Sequence, residues 1–284
     1  MTEHPTFGDF ILGFEGLAIL RSWGLDPGTV QERARSIAEV VESRGEPPWS
    51  TPLVEIEYEV ATGYGEWAQG YDRPDNPVLL AEEPVVREML DAVPIGTALD
   101  AACGTGRWAQ HLASLGHAVT GFDATPEMLE AARRKVPAAH FELADLTAIP
   151  LPPEAFDLVV CTLALTHLTR LRPPIGELAR VVRPGGRVII SDVHPLMAML
   201  GSHARYARDQ GEFGFVQNHV HQVSDYLSAF RDAGLSVTDC REPVWTGDAI
   251  AALGFADQRP GLLEAAVEGL SIVIVWELEK VDTL

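Results

Sequence analysis

Residues 98–106 read Ala-Leu-Asp-Ala-Ala-Cys-Gly-Thr-Gly, and this stretch decides the fold. Apolar residues lead to Asp100, small residues form a turn around Gly104 and Gly106, and the amphipathic run 107–115 follows. This order predicts a buried parallel strand, a tight turn and a helix. Glycine lets a backbone approach a ligand closely, and the first free N–H groups of a helix favour a polar or anionic group. The turn is therefore predicted to bind a ligand that carries a carboxylate or a phosphate.

The glycine spacing is compatible with two classes of ligand. The segment Gly104-Thr-Gly106-Arg-Trp-Ala109 fits the G-x-G-x-x-A pattern of dinucleotide sites, and Asp123 stands near the position of a ribose-binding acid. However, we expect a dehydrogenase to use its first strand, and Asp100 would repel a pyrophosphate and attract an ammonium group. S-adenosylmethionine carries an ammonium, a sulfonium and a ribose, so it suits two carboxylates better than a dinucleotide does. A nicotinamide-dependent oxidoreductase is kept as the alternative.

The segment Leu99-Asp100-Ala-Ala-Cys-Gly104-Thr-Gly106 resembles motif I of the class I S-adenosylmethionine-dependent methyltransferases. Further segments resemble the later motifs of this family in order and spacing, and together they cover roughly residues 60–195: 119–123, 144–146, 156–161 and 183–190. The chain departs from the family pattern at Ala102, where members often have glycine. The resemblance implies an α/β fold with a Rossmann-like, doubly wound, seven-stranded sheet whose last strand is antiparallel.

The same resemblance implies the cofactor S-adenosyl-L-methionine and a set of residues that bind it. Asp123 would accept hydrogen bonds from the ribose hydroxyls, Asp145 from the adenine amino group, and Met128 would lie against the adenine. Tyr71 and Tyr64 would cover the sulfonium, which an aromatic face attracts. A simpler interpretation is that the aspartates are ordinary loop residues and that the tyrosines only pack against their neighbours. The predicted cofactor-binding residues are Tyr64, Tyr71, Asp100, Ala102, Gly104, Gly106, Asp123, Ala124, Met128, Asp145, Leu146 and Thr162.

Histidines supply the candidate catalytic bases. An unperturbed imidazole titrates near neutral pH and can accept a proton from a hydroxyl or ammonium nucleophile. The candidates are His167, His194, His219 and His221. By strand alternation Asp192 points the same way as His194, toward the substrate. A metal site formed by Asp192, His194 and either His219 or His221 is a weaker alternative, because no tight ligand spacing supports it. The other alternative is that these histidines have purely structural roles. No metal is predicted.

The chain is predicted to have two parts. Residues 1–75 form an N-terminal helical cap or lid, and residues 76–284 form the methyltransferase core. The segment 196–222 is read as an insertion that binds the substrate, since its apolar and polar mixture is typical of a small-molecule pocket.

Composition excludes some partners. The 284 residues have a formal net charge of −20 and contain no basic run, which disfavours nucleic acid. The three cysteines are widely spaced, and neither a signal peptide nor an 18-residue apolar span is visible, which predicts a cytoplasmic protein that does not bind a membrane. Whether it forms a homodimer stays open.

These observations predict an enzyme that transfers a methyl group from S-adenosylmethionine to a small organic molecule, with a histidine as the base. The composition and the pocket insertion resemble methyltransferases of bacterial secondary metabolism, so the acceptor is expected to be a natural-product intermediate. A non-methylating member of the same fold, cyclase-like or binding only, is the second alternative, because function depends on the site rather than on the fold.

Overall fold

The computed structural model describes residues 4–208 and 211–281. Its helices are α1 (Phe7–Ser22), α2 (Pro27–Glu42), α3 (Val60–Trp67), α4 (Pro77–Asp91), α5 (Arg107–Leu115), α6 (Pro126–Lys135), α7 (Arg172–Val181), α8 (Pro195–Met199), α9 (Val223–Asp232), α10 (Gly247–Ala251) and α11 (Leu262–Val267). Its strands are β1 (Glu55–Glu57), β2 (Thr97–Ala101), β3 (Ala118–Asp123), β4 (His140–Leu143), β5 (Phe156–Thr162), β6 (Val182–Val193), β7 (Ala204–Ala207), β8 (Phe213–Val216), β9 (Leu235–Arg241) and β10 (Val273–Lys280). None of the helices in these ranges is long and apolar enough to cross a bilayer.

The large sheet has seven strands in the order β4-β3-β2-β5-β6-β10-β9. Strand β10 runs antiparallel to both of its neighbours, and the pairs from β4 to β6 are parallel. The predicted α/β fold with an antiparallel last strand is confirmed. Because parallel strands carry their helices on both faces, a ligand crevice forms at the carboxyl ends of the strands.

The central strands are almost entirely buried, which explains why they read as continuous apolar runs. Two hydrophobic clusters lie on opposite faces of the sheet: Leu99 and Val159 belong to one, Ala98 and Leu158 to the other. Successive side chains of a strand point to opposite faces, so each strand contributes to both clusters. This packing fixes β2 and β5 side by side and places the turn after β2 at the centre of the crevice.

The N-terminal helices pack against the C-terminal part of the chain. Helix α1 contacts α2 and α11, and the ring of Phe7 stacks on Trp49 and meets Phe255 edge-on. Strand β1 pairs in parallel with β8, and β8 pairs with β7, so residues before the core and the insertion share a second, three-stranded sheet. The first 75 residues are thus joined to the insertion by a hydrogen-bonded sheet, and the division of the chain at residue 75 stays a prediction.

Glycines mark an irregularity in one strand and the end of one helix. Strand β6 pairs with β5 at Val182 and again from Arg187, and the Pro-Gly-Gly segment between these two pairs bulges, with Gly185 at φ 72°. Helix α11 ends at Val267, shortly before Gly269, whose φ is 77°. In both places glycine changes the local backbone direction, and neighbouring segments decide where the regular structure stops.

Candidate active site

The turn after β2 is built from three left-handed residues. Ala102, Gly104 and Gly106 have φ values of 55°, 53° and 79°. A Cβ on Gly106 would lie 3.0 Å from the Cβ of Ala132, so this glycine allows α5 to pack closely on α6. A Cβ on Gly104 would meet only the sulfur of Met128, at 4.0 Å, among the described atoms. The open side of Gly104 is therefore the part of the turn where a ligand can approach the backbone.

Asp123, at the end of β3, is tied to the same turn. One carboxylate oxygen accepts from the backbone N–H of Gly104 at 2.8 Å, and the other accepts from the N–H of Thr125 at 2.8 Å. Burial raises the pKa of Asp123, against the effect of these two donors. Each carboxylate oxygen can accept a further hydrogen bond, so Asp123 keeps acceptors for a pair of hydroxyl groups. Thr125 is the N-cap residue of α6, so the bond from its N–H ties Asp123 to the start of that helix.

Asp100 lies beneath the turn. Its side chain is buried, and one oxygen accepts from the backbone N–H of Ala109 in the first turn of α5 at 2.7 Å. Burial raises the pKa of Asp100 to about 7, although the Ala109 N–H lowers it. A buried acid with one oxygen committed to a helix N-terminus holds the turn in place, and its second oxygen is available to an ammonium group.

The other predicted cofactor residues surround the crevice in different environments. Met128 is buried beside Gly104, and Leu146 belongs to the hydrophobic core. Asp145 is exposed and accepts from the backbone N–H and the hydroxyl of Thr147 at 2.7 and 2.6 Å, which lowers its pKa. Ala124 is exposed after β3, and Thr162 is half-buried at the end of β5. Their roles toward the cofactor stay predictions.

An aromatic cluster of Tyr64, Trp67 and Tyr71 covers this crevice. The Tyr64 ring lies 5.8 Å from each of the other two, and Trp67 meets Tyr71 at 5.1 Å. Asp72 follows the cluster and accepts from the hydroxyl of Thr105 at 2.7 Å and from Nζ of Lys135 at 2.6 Å. The cluster is thereby fastened to the glycine turn. Sequence reasoning named the two tyrosines but missed Thr105 and Lys135, because nothing in their local pattern shows that a distant aspartate meets them.

Next to the cluster lies a cavity of about 630 Å³, which we call the aromatic cavity. Tyr64, Trp67 and Tyr71 line one part of it, and most other aromatic lining residues come from α1, the insertion and the segments around α10: Phe7, Phe10, Tyr206, Phe213, Trp245 and Phe255. Leu163 also lines it, in a left-handed conformation with φ 53°, directly after β5. A branched residue rarely adopts this conformation outside functional sites.

His167 is the candidate base that reaches the aromatic cavity. Its Nδ1 lies 3.0 Å from the carbonyl oxygen of Gln217, so Nδ1 must carry the proton and Nε2 holds the lone pair. The hydroxyl of Tyr64 donates to this Nε2 at 2.7 Å. Burial lowers the pKa of His167 to about 4, so the imidazole is neutral at physiological pH. A neutral, oriented imidazole at a cavity wall can accept a proton.

The other three histidines are not among the described residues that line the cavity. His194 caps α8, with Nδ1 accepting from the N–H of Leu196 at 3.1 Å, and its Nε2 donates to Glu242 at 2.9 Å. His221 is buried and donates from Nε2 to the carbonyl of Leu168 at 2.7 Å. The backbone N–H of His219 donates to Thr166 at 2.7 Å. These contacts hold the residue 165–168 turn and the 217–221 segment together around His167.

Asp192 does not face the cavity as the strand alternation suggested. Its side chain is fully buried, accepts from the hydroxyl of Tyr226 at 2.7 Å, and its pKa is raised to about 7 by burial. The neighbouring Val193 lines the cavity instead. In the ranges 4–208 and 211–281 no group of three or more His, Cys, Asp or Glu side chains is placed to hold a metal ion. The metal-site alternative built on Asp192 therefore has no geometric support.

Comparison with known proteins agrees with this geometry. Residues 99–190 match the family model described as a methyltransferase domain, the part that contains the glycine turn and β3 to β6. The segment 99–190 is thus a methyltransferase domain of the class I S-adenosylmethionine-dependent type. The predicted family is confirmed, and its cofactor is S-adenosyl-L-methionine rather than a nicotinamide dinucleotide.

Relatives of this methyltransferase chain include enzymes with different acceptors. It is 36% identical over 129 residues to a malonyl-[acyl-carrier protein] O-methyltransferase from Salmonella typhimurium, a match covering 45% of this chain and 51% of the relative. It is 32% identical to the 27-O-demethylrifamycin SV methyltransferase of Amycolatopsis mediterranei, covering 59% and 66%. A Mesorhizobium loti S-adenosylmethionine-dependent methyltransferase structure has a TM-score of 0.55 and 24% identity, covering 70% and 97%. The chain thus spans about half the length of the first of these relatives.

The residues of the methyltransferase crevice fit S-adenosylmethionine. The open side of Gly104 provides space against the backbone, and Met128 offers an apolar surface beside it. Asp123 keeps acceptors for two ribose hydroxyls, and Asp100 places a buried acid under the turn for an ammonium group. The Tyr64 and Tyr71 rings supply aromatic faces for a sulfonium. These observations come from the chain's own geometry and agree with the family.

Proposed function

We propose that this protein transfers the methyl group of S-adenosylmethionine to a hydroxyl group of a small, mainly apolar organic molecule, with His167 as the base. The observation that carries the proposal is the junction at Tyr64. Its ring belongs to the cluster over the cofactor crevice, its hydroxyl is bonded to His167, and both residues line the aromatic cavity. Tyr64 and His167 therefore bring a cofactor site and a proton acceptor next to a cavity that can hold a second molecule.

S-adenosylmethionine supplies a methyl group on a sulfonium, which is already a good electrophile. The chain's task is then to align the acceptor oxygen with the C–S bond and to remove its proton. The acceptor gives its proton to the Tyr64 oxygen while the Tyr64 proton moves to Nε2 of His167. When bound, S-adenosylmethionine would supply the methyl carbon to which the acceptor oxygen bonds, and the electron pair of the broken C–S bond would stay on its sulfur.

Two features of His167 suit this role. The Gln217 carbonyl fixes the tautomer in which Nε2 can accept a proton, and burial keeps the ring neutral before the reaction. The same burial disfavours an imidazolium. His167 therefore gains a proton only together with methyl transfer, because that step removes the positive charge of the nearby sulfonium. Tyr64 cannot act as the resting base, since burial raises its pKa well above the usual value.

The cavity supports an apolar acceptor with an aromatic part. Nine of its lining residues are Phe, Tyr or Trp, and its volume of about 630 Å³ is in the range of small-molecule sites. A rifamycin methyltransferase among the relatives supports a natural-product intermediate as the acceptor, as the sequence suggested.

Isothermal titration tests the cofactor part of the proposal. We expect S-adenosylhomocysteine to bind with micromolar affinity and NAD not to bind. We expect Asp123→Ala to weaken binding of S-adenosylhomocysteine at least tenfold, because the ribose acceptors are lost. Binding of NAD alone would overturn the proposal. Binding of neither molecule would also contradict it.

An acceptor screen tests the transfer itself. The protein is incubated with methyl-deuterated S-adenosylmethionine and a library of phenols, alcohols, amines and carboxylic acids, and labelled products are read by mass spectrometry. We expect labelled phenols or alcohols, lost in His167→Gln and reduced in Tyr64→Phe. His117→Ala is the matched control, because His117 is also buried but bonds to Gly96 and does not line the cavity. If no compound in the library is labelled although the protein binds S-adenosylhomocysteine, the non-methylating alternative is favoured.

A further inference from the structure

The wall of the aromatic cavity contains a buried acceptor without a partner. Asn218 lines the cavity and is only 4% exposed. Its Nδ2 donates to the carbonyl oxygen of Ser202 at 3.0 Å, which fixes the orientation of the amide. Its Oδ1 is buried and has no hydrogen-bond partner among the described residues. A buried oxygen in this state destabilises a protein by about 1–3 kcal/mol, so it calls for an explanation.

A donor lies beside this acceptor. His203 also lines the cavity, and its ring stacks on Phe215 with the centroids 4.9 Å apart. The backbone N–H of Asn218 donates to Nδ1 of His203 at 3.3 Å, so Nδ1 is the acceptor and Nε2 carries a proton. No partner for Nε2 is found in the part of the chain that the structure describes. The two adjacent side chains thus offer one unused acceptor and one unused donor.

The position of this pair separates it from the proton-transfer machinery. His167 is held by the carbonyl of Gln217, the residue before Asn218, whereas the Asn218 side chain donates to the carbonyl of Ser202 and makes no bond to His167 among the described residues. The pair therefore belongs to the cavity rather than to the base. A hydroxyl group of a bound molecule can donate to Asn218 Oδ1 and can also accept from a donor such as His203 Nε2, whereas an ether or a methyl group has no proton for Oδ1.

We propose that the acceptor carries a second hydroxyl group, distinct from the one that is methylated, and that Asn218 and His203 bind it. This inference rests on the proposed function and narrows the acceptor to polyhydroxylated aromatic compounds. A site built to bond a hydroxyl rejects the analogue that lacks it, because the buried polar groups are then left unpaired. Asn218 is thus a specificity residue, and it takes no part in cofactor binding.

The test measures binding of naphthalene, 2-naphthol and a set of dihydroxynaphthalene isomers to the protein saturated with S-adenosylhomocysteine. We expect at least one diol to bind about tenfold or more tightly than 2-naphthol, in line with one buried hydrogen bond. In Asn218→Leu this preference should fall to about one, with 2-naphthol affinity changed less than about threefold. Asn218→Ala removes the same acceptor oxygen with a smaller side chain and should lose the preference as well; it serves if the leucine variant does not fold.

Several outcomes would overturn the inference. These are the absence of a diol preference in the parent protein, an unchanged preference in Asn218→Leu, or the failure of every member of the series to bind. Binding of S-adenosylhomocysteine is measured separately on each variant and should not change, since Asn218 lies outside the cofactor crevice. Loss of that binding in the parent protein is a failure of the proposed function, whereas intact binding without a diol preference is a failure of this inference alone.

Discussion

The hydroxyl of Tyr64 lies 2.7 Å from Nε2 of His167, although 103 positions separate the two residues in the chain. Tyr64 belongs to the segment before the core, and His167 belongs to the turn after β5. The second ring nitrogen of His167 is bound to the 217–221 segment. Three parts of the chain that are distant in sequence therefore set the orientation and the charge of one imidazole.

The pKa of His167 predicts a specific pH dependence of stability. Burial lowers this pKa to about 4 in the folded protein, and an unfolded histidine titrates near 6.5. Between these values the unfolded chain binds more protons, so the contribution of His167 to stability is present above pH 6.5 and is lost as the pH falls toward 4. Its size is about 3 kcal/mol.

Urea unfolding at several pH values between 4 and 7 measures this effect. The variant His167→Gln keeps a donor for Gln217 but does not titrate, so its stability should fall less between pH 7 and pH 4.5 than that of the parent. His140→Gln is the control, because His140 is exposed and its loss should leave the slope unchanged. Parallel curves for the parent and His167→Gln would contradict the assignment.

Asp192 should give a pH dependence of opposite sign. Burial raises its pKa to about 7, whereas an unfolded aspartate titrates near 3.9, so the folded chain binds the proton more strongly. The stabilising contribution of the protonated form is present below pH 3.9 and is lost as the pH rises through about 7. The advantage of Asp192→Asn over the parent should therefore grow by up to about 4 kcal/mol from low pH to pH 8.

The measurement is again urea unfolding, at pH 5 and pH 8. Asp257→Asn is the matched control, because Asp257 is exposed and should show no change in relative stability. If the stability of Asp192→Asn relative to the parent is no greater at pH 8 than at pH 5, then the buried carboxyl of Asp192 does not bind a proton in this range.

The two glycines of the turn should respond differently to alanine. Gly104→Ala introduces strain at a left-handed φ, about 1–2 kcal/mol, but little overlap. Gly106→Ala adds overlap with Ala132, so it should cost about 1–3 kcal/mol more. Gly104→Ala should in turn weaken S-adenosylhomocysteine binding, because its methyl group takes the open side of the turn.

Unfolding free energies and titration of S-adenosylhomocysteine check both statements. Gly176→Ala is the control: it lies in α7 with open space around it and no left-handed backbone, so alanine should be neutral or stabilising there. Equal losses of stability at Gly104 and Gly106 would show that close helix packing is not what Gly106 provides.

The bond between Thr105 and Asp72 should fasten the aromatic cluster to the turn. Thr105→Val removes a buried donor at 2.7 Å with little change of shape and should cost about 1 kcal/mol. Hydrogen exchange of backbone amides in residues 70–76 should become faster. Thr29→Val is the control, because the Thr29 hydroxyl also donates to an aspartate at 2.7 Å but lies in α2. Hydrogen exchange in residues 70–76 should therefore not change in this variant. An unchanged exchange rate in Thr105→Val would contradict the fastening role.

Much of the fold follows from local patterns. Continuous apolar runs predict β2 and β5, and the glycine turn predicts the start of α5, because a strand buried on both faces and a tight turn each have a short-range signature. The end of β3 at Asp123 follows in the same way. The polar contacts of the site do not: Thr105 and Lys135 meet Asp72 only after the chain has brought three segments together.

The histidines show the limit most clearly. Four of them were candidate bases in the sequence. Alternation in β6 suggested that Asp192 faces the substrate, whereas its buried carboxylate accepts from Tyr226 of α9. The sequence by itself determined the main strands and helices of the core, the glycine turn and the family, since these depend on residues close together in the chain. The tertiary structure decided that His167 reaches the cavity and that Asn218 is left unpaired there, because burial and hydrogen-bond partners arise from contacts between segments far apart in sequence.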